Sequence, residues 1–211
     1  MVLSILSGQR WFGYLRWWLV FAGCLLPLGW MIWSAVNNRL GADPAQELVL
    51  LLGLWAMRFL WMTLAVTPLR QLLGWGWLQR FRRMLGLYAL FYALLHLLAF
   101  LTFILGWRAD LILVELSKRY YIVAGLAALV LLIPLGITST QGFQRRLKKN
   151  WIRLHRLSYL AAVLVLVHYL MQIRASYAEH LFYGMLLLLL LGYRVVKWQK
   201  KKNSKISATN S

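Results

Sequence analysis

Four side chains in this sequence could do chemistry in apolar surroundings: His96, His155, His168 and Arg58. An ionisable group inside a long apolar run is costly to hold, and marks a functional site by default. At 1.5 Å per residue, His96 lies roughly 18 Å along the run that starts at Met84, and His168 roughly 24 Å along the run that starts at Ile152. Two neutral imidazoles at comparable depth on two helices can ligate one haem iron from its two faces. They need an apolar cavity, and Leu, Phe and Ala surround both. A single intramembrane histidine also serves as an interhelical hydrogen-bonding group. His155 precedes His168 by roughly 20 Å of helix and is rotated from it by about 220°. A straight helix would not turn both to one side. Arg83, not a histidine, stands at the corresponding place on the third run, so the histidine count does not support a second bis-histidine haem. For His155 an interfacial role and a cofactor role both stay open, and His180 reads as interfacial. Arg58 either snorkels towards water or faces an anionic group such as a haem propionate, a quinone oxygen or a flavin phosphate.

Long helices must position these groups. The chain has 211 residues, 62% hydrophobic and 14% charged, whereas a globular domain averages about 45–50% apolar and about 25% charged. That balance excludes a soluble domain and a disordered chain alike. A bilayer core takes about 20 apolar residues as helix, and six runs meet that length: 17–36, 48–68, 84–105, 121–138, 152–172 and 181–196. The expected fold is all-α, a six-helix transmembrane bundle formed by one membrane domain over 1–199, with a polar, disordered tail over 200–211. The first run has a lipoprotein-like Phe21-Ala22-Gly23-Cys24, but it continues apolar through Trp33, so it is retained as a helix. No internal repeat is evident. The single Cys24 excludes an internal disulfide, c-type haem attachment and cysteine-rich iron–sulfur or zinc sites. No glycine-rich dinucleotide fingerprint is present.

The net charge of +19, from 24 Lys+Arg against 5 Asp+Glu, sorts by loop. Basic residues gather at Arg10 and Arg16, at Arg70 to Arg83, at Arg145 to Arg156, and from Arg194 to Lys205. All five acids, Asp43, Glu47, Asp110, Glu115 and Glu179, fall in the alternate connections. The positive-inside rule then places both termini in the cytoplasm. This charge is a topology signal that meets anionic membrane lipid, not a nucleic-acid footprint. Arg80, Arg82, Arg83 and Arg153 near His155 would also suit a flavin phosphate. A transporter or scaffold with structural histidines is the competing class, but the spans hold no acid for ion coupling.

Several segments together resemble the MsrQ (YedZ) family. They are Arg82-Arg83-Met84-Leu85-Gly86-Leu87 leading to Leu95-His96-Leu97, Thr138-Ser139-Thr140-Gln141, Trp151 through Leu154-His155, Val167-His168-Tyr169, Gly41-Ala42-Asp43-Pro44 and Thr67-Pro68-Leu69. The resemblance covers nearly the whole chain outside its tails. It extends to the wider ferric reductase-like transmembrane group, shared with NADPH oxidases, in which histidines of the third and fifth helices bind haem b. It implies a bacterial inner-membrane b-type cytochrome that takes electrons from the quinone pool or a cytosolic flavin reductase. The electrons would pass to MsrP, a periplasmic molybdopterin enzyme that reduces methionine sulfoxide in envelope proteins, so no catalytic residue is expected in this chain. His96 and His168 become the haem ligands and His155 a third implicated histidine, with FMN as an associated cofactor. The wider group's four-histidine pattern is incomplete here. A ferric reductase-like cytochrome with another periplasmic acceptor is the alternative.

Overall fold

The computed structural model describes residues 2–172 and 177–209. Arg174, in the expected outer connection 174–180, and the side chains of Arg10 and Lys205 lie outside what is described. Among the described residues every regular element is helical, so the protein is an all-α membrane protein. Its helices are α1 (Val2–Val36), α2 (Pro44–Leu73), α3 (Arg82–Ala99), α4 (Ala109–Lys118), α5 (Tyr120–Ile137), α6 (Gln141–Leu147), α7 (Lys149–His155), α8 (Leu157–Leu170) and α9 (Tyr177–Thr209). A 3-10 turn, Gly76–Arg80, precedes α3, and a π-helical turn, Phe100–Ile104, follows it. The chain divides into two compact units, residues 1–63 with 76–112 and residues 64–75 with 113–211.

In the first unit, α1 stops where Asn38 enters the left-handed region at φ 53°, and the Arg39 amide bonds back to the Ser34 carbonyl at 2.8 Å. α2 starts with Pro44 directly after Asp43, whose carboxylate accepts the Gln46 amide at 3.0 Å, a proline start behind an aspartate cap. Pro27 interrupts α1, and the buried Tyr92 hydroxyl inserts one residue away. It accepts the Leu28 amide at 3.2 Å and donates to the Cys24 carbonyl at 2.8 Å. Tyr88 donates to the Phe21 carbonyl at 3.0 Å. Phe59 packs on both tyrosine rings, with centroids 5.7 and 5.1 Å away. These contacts pin α1, α2 and α3 around an aromatic core.

In the second unit α5 lies along α8, with Ala128, Ala161 and Ala162 fully buried. Small residues let two backbones approach closely where lipid offers no hydrophobic drive for association. α6 and α7 form a short hairpin through Lys148, at φ 47°.

Many apolar side chains face outward. Leu26, Val130, Met185, Leu188 and Leu189 are all more than half exposed. In water such patches would be an association liability, whereas against lipid they are the expected surface. Five helices are long and apolar enough to cross a membrane: 13–36 of α1, α2, α3 with its π-helical turn, α5, and 177–204 of α9. The expected span 152–172 is instead divided at Arg156 into α7 and α8. There Ser158 Oγ takes the His155 carbonyl at 2.7 Å, and the Arg156 amide turns back to Arg153 at 3.2 Å. The helix that carries His155 therefore ends before the one that carries His168 begins. Two further expectations differ. The connection after the third run holds the short helix α4, and the tail expected to be disordered continues α9 as far as Thr209. After Gly192 no Gly or Pro interrupts the chain, and Lys, Gln and Ala extend a helix that the apolar part has already nucleated. At the start of α4, the Arg108 guanidinium bonded to Asp110 at 2.6 Å holds that carboxyl below the usual aspartate range.

Candidate functional site

His96 sits on α3 with Nδ1 2.8 Å from the Val49 carbonyl of α2. A carbonyl only accepts, so Nδ1 carries the proton and donates, and in the neutral ring the lone pair is on Nε2. The carbonyl can be reached because of the residue one turn further on. A helix carbonyl at position i is flanked by the side chain at i+4, and here that residue is Gly53. A Cβ at Gly53 would stand 2.9 Å from His96 Nδ1 and 3.0 Å from Cε1, closer than such atoms come. Glycine inside a helix costs roughly 0.5–1 kcal/mol relative to alanine. At this position it makes room for the imidazole.

His168, on α8, is held in the same way by α5. Its Nδ1 lies 2.6 Å from the Tyr121 carbonyl, and a Cβ at Gly125, one turn beyond Tyr121, would stand 2.7 Å from Nδ1 and 2.9 Å from Cε1. Gln172 approaches Nε2 at 3.0 Å. With the proton on Nδ1, the Gln172 amide donates into the Nε2 lone pair. That amide stands for any electron-pair acceptor, including a metal ion.

The two sets match residue for residue. Each histidine lies 47 residues beyond its carbonyl partner, and Tyr121, Gly125 and His168 each follow Val49, Gly53 and His96 by 72 positions. The correspondence is one of three positions in a shared arrangement of carbonyl, glycine and histidine. The residues between them are mostly interchangeable apolar types, so the shared spacing of the glycines becomes visible only when the two histidines are aligned.

His155 is held differently. Thr138 Oγ1 gives its one proton to the Pro134 carbonyl at 2.6 Å, so at 3.2 Å it accepts from His155 Nε2–H. Trp151 stacks on the ring at 4.0 Å and donates its indole N–H to the Thr138 carbonyl at 2.9 Å. In the neutral ring the lone pair is then on Nδ1, the opposite of His96 and His168. His180 stacks on Tyr169 with ring centres 4.2 Å apart.

Arg58 is half-buried, with its guanidinium 4.9 Å from the Trp55 ring centre. That cation–π contact offsets part of the cost of placing the charge among apolar residues. Arg82 and Arg83 open α3 in the first unit, together with His96 and Arg58. His155, His168 and Arg153 belong to the second. Among the described residues no three His, Cys, Asp or Glu side chains cluster to hold a metal ion.

Fold and site together define a multi-pass membrane protein in which His96 and His168 each have their tautomer set by a backbone carbonyl. The family model for the ferric reductase like transmembrane component matches residues 49–166. That window opens at Val49 and ends two residues before His168. A Xanthomonas euvesicatoria pv. vesicatoria protein named protein-methionine-sulfoxide reductase heme-binding subunit MsrQ is 47% identical over 199 residues, 92% of this chain and 90% of the relative. A Rhodospirillum rubrum protein of the same name is 45% identical over 188 residues, 88% and 89% of the two chains. The chain belongs to the ferric reductase-like transmembrane family and, within it, to the MsrQ family. No solved structure matches it.

Proposed function

We propose that the protein is a b-type cytochrome of the bacterial inner membrane and the haem-binding subunit of a protein-methionine-sulfoxide reductase, with His96 and His168 as haem iron ligands. The observation that carries this reading is the shared state of the two rings. Each gives its Nδ1 proton to a backbone carbonyl and keeps its lone pair on Nε2, as an iron ligand must. The donor set fits haem b, which when bound supplies a one-electron relay. Imidazole ligation would leave a haem suited to electron transfer rather than oxygen chemistry. The relatives' printed name agrees.

The chain's own residues hold and tune. The Val49 and Tyr121 carbonyls orient the imidazoles, and the apolar side chains of the helices exclude water. Gln172 holds the His168 Nε2 lone pair that would otherwise be offered to iron. Arg58 is the expected counter-ion for an anionic group of a cofactor. Arg82 and Arg83 are the expected phosphate contacts of an FMN, and His155 is a third histidine of the pathway. With both termini in the cytoplasm, as the basic loops require, His96 and His168 lie in the outer half of the bilayer. From there electrons from the quinone pool, or from a cytosolic flavin reductase, reach the periplasmic partner MsrP, where substrate is reduced.

Purification from haem-replete cells tests this reading. A reducible haem b spectrum is expected that His96→Ala and His168→Ala each abolish or deplete, with flavin counted in the same sample. A colourless, folded preparation would overturn it. Anaerobic mixing of the reduced protein with MsrP separates this role from that of a cytochrome serving another acceptor.

A further inference from the structure

Gly53 and Gly125 sit in different helices, yet each stands one turn beyond the carbonyl that receives a histidine Nδ1–H. At both places a Cβ would fall inside contact distance of that nitrogen. By contrast, Gly23, Gly29, Gly184 and Gly192 have no neighbouring heavy atom within 4 Å of such a Cβ. Among the glycines whose surroundings are described, approach closer than 3.0 Å is therefore particular to the two paired with His96 and His168. Thr63 meets the Cβ of Gly86 only at ordinary contact distance, 3.6 Å.

We infer that Gly53 and Gly125 are positioning residues for the haem ligands. Each uncovers a helix carbonyl, Val49 in α2 and Tyr121 in α5, so that the carbonyl can fix the tautomer, ring orientation and basicity of its imidazole. The inference rests on the haem-ligand reading of His96 and His168. Its physical content is the second hydrogen bond of a metal-bound imidazole. An Nδ1–H donated to a strong acceptor raises the electron-donating power of Nε2 and favours the more oxidised metal. A methyl group at either glycine pushes the ring off the carbonyl. The imidazole turns, its hydrogen bond lengthens, and its ligand strength falls. The 72-residue spacing implies that both ligands were tuned by one device, used once in α2 with α3 and again in α5 with α8.

The test compares haem-loaded Gly53→Ala and Gly125→Ala with Gly184→Ala as the control. Redox titration and low-spin ferric EPR are read on protein that elutes as a single folded species. The expected result is a midpoint potential raised above wild type in both variants, an altered EPR signature, and a wild-type pattern in Gly184→Ala. Wild-type potential and EPR in both glycine variants would overturn the inference. If His96→Ala and His168→Ala still lose haem in that case, the ligand reading stands and only the positioning role falls. Histidine variants that keep the wild-type spectrum would sink the ligand reading itself. Should an alanine variant fail to fold, the unmodified protein decides by ENDOR on histidine labelled with 15N. Nδ1–H protons that resist exchange in deuterated buffer are expected on both ligands. Ligation through Nδ1, or rapid loss of those protons, would overturn the inference.

Discussion

Arg194 offers the sharpest test of how the second unit is held together. Pro68 lies inside α2 and has no amide hydrogen, so the Leu64 carbonyl one turn before it lacks its helical donor. Arg194 Nη2 fills the vacancy at 2.6 Å. The same guanidinium donates to the Leu190 carbonyl at 2.7 Å and the Tyr159 hydroxyl at 3.2 Å, and lies 5.1 Å from the Tyr159 ring centre. Arg194→Met keeps much of the stem and removes every donor. Leu190 keeps the backbone amide of residue 194, so its loss is small, while Leu64 is left with an unpaired carbonyl in fully buried surroundings. A hydrogen bond from a charged donor contributes about 1.5–3 kcal/mol, and side-chain bonds within membranes average about 0.6. The expected cost is therefore about 1–2 kcal/mol. A double-mutant cycle with Pro68→Ala isolates it, because alanine returns an amide to Leu64. Unfolding titrations in mixed detergent should show Arg194→Met costing about 1 kcal/mol less in the Pro68→Ala background. Equal costs in both backgrounds would refute this account of Arg194.

Thr138→Val removes the acceptor for His155 Nε2–H while keeping side-chain volume. It should cost about 1 kcal/mol in the same titration and leave the haem spectrum of His96 and His168 unchanged. Gln172→Leu should retain haem with an unaltered absorbance spectrum, because the amide holds the His168 lone pair only where iron does not. The Asp110 carboxyl, lowered by Arg108, should titrate below the ordinary aspartate range by NMR and return towards it in Arg108→Ala. The exposed pair's small contribution is present above the unfolded aspartate pKa and is lost as pH falls through the lowered one. For orientation, fusions after Lys202 should fluoresce as green fluorescent protein, while alkaline phosphatase inserted between Trp107 and Asp110 should be active. The reverse pattern would refute cytoplasmic termini.

Much of the architecture was legible from patterning alone. Apolar runs long enough for a bilayer correspond to helices α1, α2, α3, α5 and α9, because length and hydropathy are local properties. The division of 152–172 at Arg156 was not legible, since Ser158 and the turn at Arg156 look no different in sequence from residues inside a helix. Arg194 read as one more basic residue at the end of the last apolar run. Its contact with Leu64 depends on where Pro68 brings an unpaired carbonyl, far away in sequence.

Taken alone, the sequence determined the all-helical membrane class and the residue types available to bind a cofactor. Only the tertiary structure decided which nitrogen of each ring carries the proton. His96 and His168 donate from Nδ1 to carbonyls 47 residues away, whereas His155 donates from Nε2 to Thr138. The reason is physical. An imidazole's two nitrogens are equivalent in composition, and they become distinct only when a fixed donor or acceptor faces one of them. At Gly53 and Gly125, the missing side chain lets that happen.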